Sequence, residues 1–192
     1  MGILSKKRIL ERLGCDIANP KSLVITPLDK EAFDSDAVDL RLGNHFLFPP
    51  LPSTSAVDVR DIDPTHRDLR VHIPSDGQLV LPAHQTVLGV TQEFIKLPYD
   101  VSGQILTKSS VARTFMVIET APWIHPNYRG CLTLEIANVS STALILHPRM
   151  PIGQLILISI EEAVESVELS GSYIGPVRPE SPARKSNHVC KF

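Results

Sequence analysis

Short apolar runs, each closed off by proline, glycine or asparagine, dominate the chain from residue 37 to residue 160. AVDLRLGNHFLF (37–48), DLRVHI (68–73), QLVL (78–81), QTVLGVT (85–91) and VSGQIL (101–106) have the length and composition of strands. FMVIET (115–120), CLTLEIAN (131–138), TALILH (142–147) and IGQLILISI (152–160) continue the series. Between them lie turn-formers such as FPPLP, LPAHQ, KLPYD, HPNYRG and HPRMP. The 16 prolines of the chain keep these connections stiff. The pattern predicts an all-β fold, either a β-sandwich, a jelly roll or a distorted barrel. One short helix precedes it, with Ser5 as N-cap, Ile9, Leu10 and Leu13 as an apolar stripe, and Gly14 as the stop. LTKSSVARTF (106–115) breaks the alternation and suits a turn or one to two helical turns between strands.

At 192 residues the chain has room for one large domain, expected over 1–167. From Glu168 onward Ser, Pro and Gly take over, so residues 168–192 are expected to form a flexible tail or a lid over a ligand. A formal net charge of −2 argues against a nucleic-acid-coating protein, so any anion must be held by a local cluster of cations. No apolar run approaches membrane-spanning length, and the charges of MGILSKKRILERL interrupt its apolar residues, unlike a signal peptide. Cys15, Cys131 and Cys190 are odd in number and far apart, which favours a reducing, cytoplasmic setting over a disulfide framework.

Three stretches carry candidate chemistry. KSSVAR supplies Lys108, Ser109, Ser110 and Arg113: cations, hydroxyls and turn amides of the kind that converge on phosphate. An ordinary exposed loop has the same composition. In CLTLEIAN, Glu135 alternates with Leu132, Leu134 and Ile136, so it faces away from the core. It is either a wetted surface residue or, in a partly dry pocket beside an arginine, a proton carrier. Cys131, Thr133 and Ala137 on its face are small and uncharged. ETAPWIHPNYRG (119–130) is a rigid turn that could hold a flat base against its backbone or simply pack Trp123 at a hairpin corner. The seven histidines are scattered, and neither CxxC nor HxE followed by PCxxC occurs, so no zinc-activated water is expected.

Taken in order, ILSKKRILERL, ITPLDKEAFDSDAVDLRLGNHF, KSSVAR, TAPWIHPNYRGCLTLEIAN and IGQLIL resemble the dCTP deaminase branch of the dUTPase superfamily across residues 3–160. The resemblance implies the dUTPase fold and a homotrimer with active sites at subunit interfaces. It also implies zinc-free hydrolytic deamination of dCTP to dUTP plus ammonia, with magnesium carried on the triphosphate; the charge and the lack of a long apolar run leave no nucleic-acid or membrane partner expected. Glu135 takes the deamination carboxylate's position, with Ser109 and Arg113 completing the catalytic set. Lys108, Ser110, Ala121, His125, Tyr128, Gln154 and Tyr173 fall on substrate-binding positions.

Two departures matter. Lys108 stands where the family usually has Arg, replacing a planar fork with a point charge. His125 stands where the family normally has Asp, which argues against a pyrophosphatase step. A dUTP pyrophosphatase or bifunctional enzyme is the runner-up, and a non-catalytic nucleotide-binding protein of the same fold is the third reading.

Overall fold

The computed structural model describes residues 2–33, 36–48, 69–118, 122–163 and 175–179. In chain order its elements begin with β1 (Gly2–Ile3), α1 (Lys6–Arg12), β2 (Val24–Thr26), β3 (Ala37–Arg41), β4 (His45–Phe48) and β5 (Leu69–His72). Next come β6 (Leu79–Leu81), β7 (Thr86–Lys96), β8 (Val101–Thr107), α2 (Ser109–Ala112) and β9 (Met116–Ile118). The last are β10 (Trp123–Ile124), β11 (Arg129–Asn138), β12 (Leu144–Leu146) and β13 (Pro151–Ser159).

The strands form two main antiparallel sheets. One runs β1-β13-β8-β10, with β3 also on β13; the other runs β5-β4-β7-β11-β9, with β2 also on β7. A small β12-β6 pair stands apart. The all-β expectation is met, and the alternation in the sequence explains why. Val38 and Leu40 of β3, Leu134 and Ile136 of β11, and Leu155 and Leu157 of β13 are fully buried in one apolar core. Each sits two residues from the next on its strand, so one face of each strand reaches the core.

The β7–β11 ladder is the most extensive pairing, from Arg129↔Lys96 to Ala137↔Thr86. Its register slips between Cys131 and Thr133, where β7 advances from Phe94 to Val90 and bulges. The Thr91 hydroxyl closes the bulge, donating to the Glu93 carbonyl at 2.8 Å and accepting the Leu132 N–H at 2.9 Å. Glu93 is almost wholly buried there. Arg41 meets its carboxylate with Nε at 2.7 Å and with the backbone N–H at 2.9 Å. Burial pushes the Glu93 carboxyl upward, and these bonds oppose the shift.

Two expectations need correction. Leu10 is about half exposed, so the helix buries Ile9 instead of a full stripe. Ser5 is the N-cap by position, yet its side chain makes no capping bond. Residues 175–179 dock on β11, with Gly175 N–H donating to Arg129 O and Cys131 N–H donating to Pro176 O, both at 2.7 Å.

Gly130 lies beneath this strap at φ +144°, and a Cβ there would sit 2.5 Å from Pro176 Cδ. Both the backbone angle and the contact demand glycine. Gly130→Ala is therefore expected to cost about 1–3 kcal/mol in chemical denaturation. An unchanged midpoint would mean that the strap does not seat in this notch.

Candidate active site

The helical turn α2 carries the cation–hydroxyl cluster, and its position follows from the two sheets. It leaves β8 in the first sheet and enters β9 at the edge of the second. Thr107 Oγ1 accepts the Ile118 N–H at 2.9 Å, pinning the end of β8 to β9 across the turn. Lys108 is the extended residue before the turn, and its carbonyl accepts from Val111 and Ala112 N–H at 2.9 Å each. Ser109, Ser110 and Arg113 are exposed. The polar sequence thus forms the short helix expected of it, with its hydroxyls outward.

Lys108 and Gln154 are brought together by a residue to which the sequence reading gave no role. Asp39, in the VDLRLG segment, accepts Lys108 Nζ on Oδ2 at 2.5 Å and Gln154 Nε2 on Oδ1 at 3.1 Å. The register explains the meeting: Gln154 pairs with Asp39 on one side and with Leu106 on the other, two residues before Lys108. All three side chains are partly buried. The signal available in the sequence was an acid inside an otherwise apolar strand, the same signal that drew attention to Glu135.

Glu135 lies on the face of β11 turned away from Leu134 and Ile136, and in the single chain it is exposed. Its cross-strand partner is Leu88 of β7, which pairs in turn with the buried Leu47 of β4. Cross-strand partners share a face, so the carboxylate has an aliphatic row beside it. Cys131 and Ala137, on the same strand face, are buried. Burial raises the Cys131 thiol, keeping it neutral.

Along β11, the β9 pairing lies between Glu135 and the residues that follow the helical turn. β9 pairs with β11 through Met116↔Asn138 and Ile118↔Ile136, and Val139 N–H donates to Phe115 O. Glu135 is three residues along β11 from Asn138, roughly 10 Å at strand rise. Arg113 lies beyond the Met116–Asn138 pair, on its far side.

The hairpin residues fall between these extremes. His125 is exposed, directly after β10. Tyr128 is half-buried and its phenol donates to Cys131 O at 2.8 Å, so the ring is fixed against its own strand. Neighbouring Asn127 is buried at φ +62°, and its Oδ1 has no hydrogen-bond partner. Trp123 is exposed instead of packed in a corner. Ala121 and Tyr173 lie outside the described residues.

The described residues contain no group of three or more His, Cys, Asp or Glu side chains arranged to hold a metal ion. Lys108, Arg113 and the two serines on and beside α2 are groups that suit phosphate oxygens.

Comparison with known proteins bears on this geometry. A family model described as dCTP deaminase-like matches residues 3–160. The chain belongs to that family. This dCTP deaminase-like chain is therefore an enzyme of a hydrolytic family, and the match spans both sheets, α2 and Glu135. It is 35% identical over 173 residues to a protein of Persephonella marina named dCTP deaminase, dUMP-forming, covering 90% of this chain and 92% of that one. A protein of a Sulfurihydrogenibium species with the same name is 35% identical over 153 residues, covering 80% and 83%.

Among solved structures, the 2'-deoxycytidine 5'-triphosphate deaminase of Agrobacterium tumefaciens superposes with a TM-score of 0.58 at 21% identity. The match covers 81% of this dCTP deaminase-like chain and about half, 48%, of that one, and it supports the fold. The names of the two sequence relatives correct one expectation. They give dUMP as product, so the inference of dUTP as end product, and the weight placed on His125 against a second step, find no support in them.

Removing the acid that joins Lys108 to Gln154 tests this part of the site. Asp39→Ala leaves a partly buried ammonium and amide without their partner and is expected to cost about 1–3 kcal/mol in urea unfolding. A variant as stable as the parent would mean that the three side chains do not form this contact in solution.

Proposed function

We propose that the chain hydrolyses dCTP to dUMP, with release of ammonia and pyrophosphate, in pyrimidine deoxynucleotide metabolism. The observation that carries the reading is the family match over residues 3–160, within which Glu135 stands on an outward strand face beside an aliphatic row. The dUMP product is supported by the names of the relatives that cover most of the chain.

The active unit is a homotrimer, and each site joins Glu135 of one copy to α2 of another. Its support is the exposure of both in the single chain. Contact with a neighbouring copy dries the surroundings of Glu135, and the aliphatic row at Leu88 and Leu47 completes that shelter. Glu135 takes a proton from a water held near Ser109 and the backbone of Ala121. The hydroxide adds to C4 of cytosine and Glu135 delivers the water's proton to N3; Glu135 then moves the proton of the new C4 hydroxyl to the amine, the C4–N bond breaks and ammonia leaves. Arg113 stabilises charge at the tetrahedral centre.

Lys108 and Ser110 hold phosphate oxygens, Gln154 orders the groups around them, His125 and Tyr128 border the sugar, and Tyr173 of the tail covers the nucleotide. A magnesium ion riding on the triphosphate supplies charge neutralisation, and the protein side contributes Lys108, Ser110 and Arg113. A second water then cleaves between the α- and β-phosphates, giving dUMP and pyrophosphate.

The test is a product analysis with dCTP and magnesium. Ammonia, pyrophosphate and dUMP are expected in equal amounts, and Glu135→Gln should slow ammonia release by about 10²–10⁴-fold. Undiminished ammonia release by that variant overturns the role of Glu135. Accumulation of dUTP without pyrophosphate overturns the second step.

A further inference from the structure

The β7 bulge creates a second polar site on the far side of the β7–β11 ladder from β9. At the bulge Gln92 turns its Oε1 into the protein interior, where it finds no hydrogen-bond partner. A buried acceptor left unpaired is costly, and such groups ordinarily meet a protein donor, a water or a ligand. Here a cavity of about 380 Å³ opens, lined by Asn44, His45, Ser75, Gln92, Arg149 and Val177. That volume exceeds the needs of one or two waters and falls within the range of small-ligand sites.

Among the described residues the lining is rich in donors and has no acid. Arg149 is held at φ +71° by its backbone N–H, which donates to Leu42 O at 2.7 Å. No hydrogen bond or ion pair engages its guanidinium among the described residues. His45 lies 4.8 Å from His72, ring centre to ring centre, and the Asn44 amide is 3.1 Å from His72 Nε2. Arg178, on the docked strap, adds a further cation. Burial and these two neighbours hold the His45 pKa below its ordinary value, as expected where positive charge is crowded. The nearby carboxylate of Glu93 is already bound by Arg41. Among the described residues, Arg149 is thus a lining cation with no carboxylate beside it in the lining.

We propose that this cavity binds a phosphorylated sugar or nucleoside monophosphate, at a site separate from the Lys108–Ser110 cluster. Arg149 takes the phosphate, Asn44 and Ser75 donate to it, and Gln92 Oε1 accepts from a ligand hydroxyl. Val177 of the strap forms one wall, so occupancy and docking of residues 175–179 support each other.

Calorimetric titration of the full chain with inorganic phosphate and with dUMP tests the proposal. Lys108→Ala serves as the control that removes the other anion cluster. Saturable binding of both probes is expected to persist in Lys108→Ala. It should weaken about tenfold in Arg149→Asn, which loses the charge while tolerating the left-handed backbone, and in Gln92→Glu, which repels an anion. Turnover of dCTP should be unchanged in both pocket variants. Should either fail to fold by circular dichroism, His45→Asn provides the same reading. Binding that disappears in Lys108→Ala and survives the pocket variants overturns the proposal, as does the absence of binding. Phosphate binding with dUMP excluded overturns the sugar-phosphate class.

Discussion

The pairing of β7 with β11 is the constraint on which the rest of the molecule depends. Because side chains alternate along a strand, one choice of register sends Leu132, Leu134 and Ile136 into the core and turns Glu135 outward. A one-residue slip would bury the carboxylate and expose the leucines. The bulge at Thr91–Glu93 takes up the excess length of β7 by shifting the register two residues, an even step that keeps the same side chains facing the core on both sides. Its closure by the Thr91 hydroxyl, and the burial of Glu93 against Arg41, make it a built feature of the sheet. The same ladder end carries the notch at Gly130 that receives the strap.

The second organising element is the crossing from one sheet to the other through α2. It places cations and hydroxyls at the rim where the sheets meet, while Asp39 and Gln154 reach the rim from β3 and β13. Lys108 is thereby held in position, with its charge balanced by Asp39. Both this rim and Glu135 are exposed in the single chain. Under the proposed function, contact with a further copy is what shelters these exposed groups.

Much of this was legible in the sequence, for physical reasons. Strands with one buried face announce themselves by alternation, and KSSVAR announced a turn by lacking it. The missed parts have equally physical causes. β7 runs on through Gln92–Lys96, where polar residues hide the strand; Lys96 is buried because its ammonium meets the backbone carbonyls of Asn19 and Ser22. β1, β2 and β10 are too short to show a period. Asp39 could not be assigned its partners because they come from 69 and 115 residues away in the chain. The docking of residues 175–179 rests on backbone hydrogen bonds, which leave no trace in side-chain composition.

The central claim is that Glu135 of one copy works with α2 of another. Mixing two inactive variants, Glu135→Gln and Ser109→Ala, after unfolding and refolding them together, tests it directly. If each site draws on two chains, about a quarter of the pairings in an equal mixture join two intact halves, and activity returns to roughly that level. A mixture as inactive as its components would place both halves in one chain and contradict the account.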